Sequence, residues 1–287
     1  MEGPASLLLF PSTLTCIKRF IGMSLYTDQL GRTLELMHVP AKIISLVPSQ
    51  TELLYDLGLD EEIAGITKFC VRPEHWFRNK KRVGGTKHVN MKIIRDIQPD
   101  LIIANKEEND REQIEELAGN YQVWVSDIST LSDALQMIAS IGSMTNKDDA
   151  AKKIVEDIEN QFAKLPMDPD QTNAQNHLST AYLIWRKPYM AAGGDTFIHE
   201  MMKYCGFKNI FDQHTRYPEI NIGQLHGCRL LLLSSEPYPF AKKHIDELQH
   251  HLPGTKIILV DGEMFSWYGS RLLHAPDYFR KLLQEIQ

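Results

Sequence analysis

Short apolar runs alternate with amphipathic segments of helical length along this chain, and their order occurs twice. Lys42-Ile-Ile-Ser-Leu-Val-Pro-Ser-Gln-Thr-Glu-Leu-Leu-Tyr-Asp-Leu-Gly-Leu59 predicts a buried strand, a loop carrying Ser49 and Thr51, and a helix stopped by Gly58. Ala181-Tyr-Leu-Ile-Trp185 followed by Gly194 to Gly206 predicts the same sequence of strand, Thr-capped helix and glycine stop. The strand at Pro99 to Ala104 with the helix Arg111 to Leu117 is matched by Cys228 to Leu233 with Ala241 to Leu248. The strand at Gln122 to Asp127 with a helix after Leu131 is matched by Lys256 to Asp261 with a helix after Ser270. Strands alternating with helices favour parallel sheets, so the pattern predicts two α/β lobes with a cleft between them.

Between the halves the pattern changes. Lys147 to Leu165 places Ile154, Ile158, Phe162 and Leu165 on one face and Asp148, Lys152, Glu156 and Glu159 on the other, the signature of a long amphipathic helix. Pro166 stops it, and residues 166–177 form a polar stretch without periodicity. The expected organisation is an extension over 1–22, a first lobe over 23–146, a bridging helix over 147–165, a linker over 166–177 and a second lobe over 178–287. A helix is a stiff connector, so the lobes should rock by small angles. Within the first lobe, Tyr26 to Leu36 predicts a hairpin around Gly31, and Met91 to Ile97 a further helix.

Composition narrows the function classes. With 287 residues there is room for two lobes, and a mean hydropathy of -0.28 argues against a membrane bundle. A net charge of -6 disfavours a nucleic-acid-binding face, and the one basic cluster, Arg78 to Arg82, reads as a solvated turn. Cys16, Cys70, Cys205 and Cys228 are too widely spaced for a zinc knuckle or redox pair. Ser6 to Phe10 is an apolar run preceded by Glu2 and no base, a poor export signal, so a cytoplasmic location is as open as an exported one.

Candidate chemistry lies in the loops that follow the predicted strands. Phe69, Trp76, His88, Trp185, Arg186, Tyr189, Tyr217, Phe265, Trp267 and Tyr268 concentrate there, where aromatics have no core to fill unless the loop folds back. The set points to a broad, partly apolar ligand, while core packing accounts for any single member. Ser49 and Thr51 read first as helix caps and second as ligand contacts, and His88 and His214 as loop histidines within reach of a metal. Asp127 and Asp261 end equivalent strands as turn residues. No HExxH, GxSxG or phosphate-loop spacing occurs.

Arg32-Thr-Leu-Glu-Leu36, the segment from Lys42 to Leu54, Val83-Gly-Gly-Thr86 and Ile97 to Ala104, in that order, resemble the iron-chelate and cobalamin substrate-binding proteins of ABC importers. The resemblance implies two Rossmann-like lobes bridged by one long helix, no catalysis, and a corrinoid such as cobalamin, a haem or a ferric siderophore held between the lobes. It implies cleft positions at Phe69, Tyr217 and the Glu263 to Trp267 segment, and with the loop-borne residues the expected ligand contacts are Phe69, His88, Trp185, Arg186, Tyr189, Tyr217, Glu263, Trp267 and Arg271, with no covalent cofactor and no metal ligand assigned. A cytoplasmic enzyme or handling factor acting on the same chelate, through the Asp261 to Arg271 segment, is the alternative. The family docks on its permease with one glutamate per lobe; Lys92 and Gly223 stand at the matching positions, which points to docking through other residues, such as Glu108 or Glu219, or to none.

Overall fold

The computed structural model describes residues 23–165 and 178–286; the expected extension and linker lie outside them. The chain opens with an antiparallel hairpin of β1 (Ser24–Thr27) and β2 (Thr33–Leu36), turned at Gly31 with φ of 79°, a conformation glycine adopts without a Cβ penalty. The first lobe continues through β3 (Ile43–Ser45), α1 (Pro48–Asp56), β4 (Ile63–Ile66), α2 (Glu74–Asn79), α3 (Met91–Ile97), β5 (Leu101–Asn105), α4 (Arg111–Ala118), β6 (Val123–Ser126) and α5 (Leu131–Met144). Then come α6 (Asp148–Phe162) and the second lobe: β7 (Leu178–Trp185), β8 (Tyr189–Ala191), α7 (Phe197–Tyr204), β9 (Phe207–Asn209), β10 (Glu219–Ile220), β11 (Leu230–Ser234), α8 (Lys242–His251), β12 (Lys256–Val260), α9 (Glu263–Ser266) and α10 (Ala275–Ile286).

The two sheets follow the doubled pattern strand for strand. In the first lobe the order is β4-β3-β5-β6, all parallel. In the second, β9, β7, β11 and β12 run parallel in the corresponding order, and β8 and β10 add an antiparallel edge. The repeated strands therefore occupy the same places: β3 matches β7, β5 matches β11, and β6 matches β12.

Alternation along the strands divides the core. Ile43, Leu101, Ile103 and Trp124 in one sheet, and Tyr182, Leu230 and Leu232 in the other, face a single core that also holds Ile141 of α5, Ile154, Ile158 and Phe162 of α6, and Phe265 and Phe279. The alternate residues, such as Ile102, Ala104 and Val125, or Leu231 and Leu233, face two smaller clusters, one per lobe. The lobes thus share their main core, and α6, about 22 Å long at 1.5 Å per residue, packs against α5 on one side and the 3-10 turn Ser270–Leu273 on the other. Asp148 and Asp149 in its first turn complement the helix dipole.

Two local expectations change. Ser49 and Thr51 do not cap α1: Pro48 takes the first helical position, so the helix begins earlier, Val47 stands at the cap without a side-chain hydrogen bond, and the Thr51 hydroxyl donates to the Val47 carbonyl at 2.8 Å. The segment after Ser270 begins as a 3-10 turn, and the helix proper starts at Ala275. Thr196 caps α7 as expected, accepting from the His199 amide, and Thr130 forms a reciprocal box with Asp133 at the start of α5.

Candidate functional site

Loops beyond the carboxyl ends of both parallel sheets meet across the cleft, the place where open α/β sheets present ligand-binding groups. In the first lobe a buried polar lattice fixes these loops. Asn105, ending β5, accepts the amides of Glu107 and Glu108 at 2.8 and 3.0 Å while its side-chain amide donates to Ser126. Asn109 donates to the Leu46 and Thr86 carbonyls, and Gln50 to Ser126 at 2.6 Å. Thr51, Thr67 and Cys70 form a second buried cluster under Phe69. In the second lobe Ser234, ending β11, has the role of Asn105: it accepts from Tyr182 and from the Glu236 amide, and donates to the Glu236 carbonyl. The equivalent strands β5 and β11 therefore deliver Glu107 and Glu108 from one side and Glu236 from the other.

Ion pairs join the lobes. The Arg271 guanidinium makes a two-point contact with Glu52 of α1, with Nε to Oε2 at 2.9 Å, and lies 3.5 Å from Glu263. Glu263 also accepts from Arg72 at 3.0 Å. Glu107 pairs with Arg216 and accepts from the Tyr217 hydroxyl at 3.4 Å. At Gly269 the second lobe's backbone comes so close to α1 that an added Cβ would stand 3.2 Å from the Ser49 carbonyl, at a φ of 113°.

The sequence-predicted residues separate into groups. Trp267 is buried with its indole N–H donating to Glu236 at 2.8 Å and the Arg271 guanidinium 5.4 Å from its ring centre. Tyr217 is half-buried, and burial pushes its hydroxyl pKa up to about 12. Phe69 and Trp185 expose 50% and 40% of their surface at the ends of β4 and β7, one in each lobe, and Trp185 meets Tyr238 edge-on. His88 is exposed on the Gly84 to Val89 turn, where its carbonyl accepts from Gly85. Arg271 and Glu263 sit at the lobe junction, engaged with each other and with Glu52 and Arg72. Arg186 and Tyr189 turn elsewhere, to Glu247 of α8, with Arg186 donating to both carboxylate oxygens at 2.9 and 2.7 Å. Trp76 and Phe265 are core residues, the first bonded to Asp60 and the second stacked near Tyr182 and Phe279. His214 packs against Phe211, and among the described residues no group of three or more His, Cys, Asp or Glu side chains is placed to hold a metal.

Sequence reasoning named Glu263 but missed Glu52, Glu107 and Glu236. Glu108 follows β5 on an exposed turn, close enough to Glu236, Tyr217 and Tyr268 for their charges to be felt. Glu108 is exposed, yet the protein packed around its carboxyl raises the pKa, with the Glu236 charge adding to the rise. Burial likewise raises Glu236, against hydrogen bonds from Ser266 and Trp267, and it raises Glu52 despite Arg271. The signal was present in the repeat: Asn105-Lys-Glu-Glu108 and Ser234-Ser-Glu236 each set an acid just past an equivalent apolar strand.

Comparisons with known proteins agree with this architecture. A vitamin B12-binding protein of Photorhabdus laumondii is 24% identical over 270 residues, covering 92% of this chain and 96% of the relative. The crystal structure of the periplasmic vitamin B12-binding protein BtuF of Vibrio cholerae superposes with a TM-score of 0.72 at 21% identity, over 87% of this chain and 98% of that one. The siderophore-binding protein BauB, solved with two acinetobactin molecules and ferric iron, gives a TM-score of 0.72 at 16% identity, over 91% and 99%. No helix among the described residues is long and apolar enough to cross a membrane. A family profile described as periplasmic binding protein matches residues 43–226, well over half the chain, and the protein belongs to that family.

Proposed function

We propose that this chain is a substrate-binding component of an ABC-importer type system, holding a metal chelate between its lobes without transforming it. The observation that supports the reading is that each of the two equivalent sheets carries an exposed aromatic at or just past a strand end, Phe69 or Trp185, and we assign these with Tyr217 and Trp267 to the cleft wall. Aromatic faces accept a flat or curved apolar chelate with little conformational cost, and the polar groups between them fix its orientation. The relatives named for vitamin B12 and the neighbour carrying a ferric siderophore hold ligands of this kind, which favours a corrinoid or iron chelate here. The family's extracytoplasmic setting accords with such a role.

Lys92, on α3, and Gly223, on the 3-10 turn Ile222–Leu225, are both exposed, and each lies on the crossover that leads into β5 or β11. In our reading a permease meets this protein through contacts other than a glutamate at these two places, since lysine facing arginine repels and glycine offers no side chain. Native mass spectrometry of protein from cells grown with cobalamin, haemin and ferric siderophores tests the binding reading. A stoichiometric adduct with the mass of one such chelate, released on unfolding, is expected; only the bare chain under every condition would count against it.

A further inference from the structure

We propose that Arg216 and Glu107 form a gate across the cleft, an ion pair that parts when a ligand passes between the lobes in either direction. The inference rests on the reading of the cleft as a chelate site and concerns entry and release at that site. Glu107, on the turn after β5, belongs to the first lobe, and Arg216, just before β10, to the second. The guanidinium Nη1 donates to Glu107 Oε1, and the Tyr217 hydroxyl donates to the other oxygen, Oε2, at 3.4 Å. Because Tyr217 is assigned to the cleft wall, the pair stands beside the space the ligand would take. Both partners reach solvent, with 45% of the Arg216 side chain and 28% of the Glu107 side chain exposed, whereas the Arg271 and Glu52 side chains at the lobe junction expose only 10% and 16%. An exposed pair shifts an equilibrium by no more than about fivefold, so this bridge can hold the lobes together and still open readily.

Both ends of the bridge are firmly mounted. The Glu107 amide donates to the Asn105 side chain at 2.8 Å, and its carbonyl accepts from Lys87 Nζ at 2.6 Å. Arg216 has a φ of 57°, in the left-handed region that a residue with a Cβ seldom occupies. Such a conformation persists only where the surroundings over-determine it, and it gathers at ligand clamps and switch regions. Here the Arg216 amide donates to the Asp195 carboxylate and its carbonyl accepts from the Gly193 amide at 2.8 Å, while the Gly194 amide donates to the His214 carbonyl at 2.8 Å. The approach needs both glycines: an added Cβ would clash with the His214 carbonyl at Gly193 and with the Asp212 carbonyl at Gly194. The Gly193-Gly-Asp195 run, which lacks the spacing of a phosphate loop, is thus a cradle for the segment from Asp212 to Arg216, and it presents the guanidinium to the opposite lobe.

Stopped-flow mixing of the native chain, E107Q and R216G with cyanocobalamin, ferrichrome and haemin tests the gate. For a probe that binds, both variants should associate roughly two- to fivefold faster than the native chain and release it faster by a similar factor, so that Kd changes less than either rate. Glycine suits the left-handed φ at position 216, so R216G removes the guanidinium while keeping the loop. The two variants change the net charge in opposite directions, so acceleration in both excludes altered steering of a charged probe. A merely structural role would weaken binding through release alone, and faster association cannot come from misfolding. Unchanged or slower association in either variant would overturn the gate. Failure of all three forms to bind any of the probes would instead overturn the chelate-binding reading, and this inference with it.

Discussion

At the scale of single residues, the cleft is set by side chains that end strands. Asn105 and Ser234 each use a short polar side chain to hold the following loop, so that an acid is presented at a fixed angle beside an aromatic. Phe69 and Trp185 are exposed, so replacing either by alanine should leave the unfolding midpoint unchanged while weakening chelate binding by roughly tenfold, the loss typical of an aromatic anchor; titration of each variant checks this. The acids give a pH signature. Glu52, Glu108 and Glu236 have carboxyls raised by the protein packed around them, so the folded chain holds their protons more tightly than the unfolded chain does. Their contribution to stability is complete below the ordinary value of about 4.3 and is lost as pH rises through the folded values. Asp133 runs the other way: burial would raise it, but hydrogen bonds from Thr130 and Ser129 outweigh burial, and its contribution is lost only as pH falls below the ordinary range. Urea midpoints should therefore rise as pH is lowered toward the ordinary carboxylate value, and E108Q/E236Q should flatten that slope; an unchanged slope would show that folding does not raise these carboxyls.

At the scale of elements, the 3-10 turn Ser270–Leu273 is wedged between α1 and α6, and its Arg271 is tied to Glu52. Arg271 is only 8% exposed, so its truncation leaves Glu52 without its counter-charge inside the junction. R271A should cost about 3 kcal/mol or more in urea unfolding, whereas R216A, in a pair exposed to solvent, should cost no more than about 1 kcal/mol. Most elements were legible because the apolar runs of β5, β6, β11 and β12 and the amphipathic face of α6 are strong local signals. The start of α1 was misjudged because Pro48 is itself a good first helical residue, which displaced the expected caps Ser49 and Thr51 into the helix. Arg186 and Tyr189 were assigned to the cleft because they follow a strand, but the turn between β7 and the antiparallel β8 carries them to Glu247. A position after a strand specifies the end of the sheet and leaves open which way the side chain turns.

At the scale of the whole molecule, the duplicated order of strands yields two sheets whose carboxyl ends face each other, and the shared core around α6 keeps them there. The cleft itself was readable from the repeat; its charge was not, because the ion pairs Glu52–Arg271 and Glu107–Arg216 join residues more than 100 positions apart, and no local pattern reports such pairing. A shared core also implies that the lobes unfold together, as a single transition. The central claim is that this cleft holds a metal chelate. Isothermal titration of the purified chain with cyanocobalamin, haemin and a ferric siderophore tests it most directly: the account predicts saturable binding of at least one of them at one molecule per chain, weakened in the Phe69→Ala and Trp185→Ala variants. Absence of saturable heat with all three, by a chain shown to be folded, would contradict it.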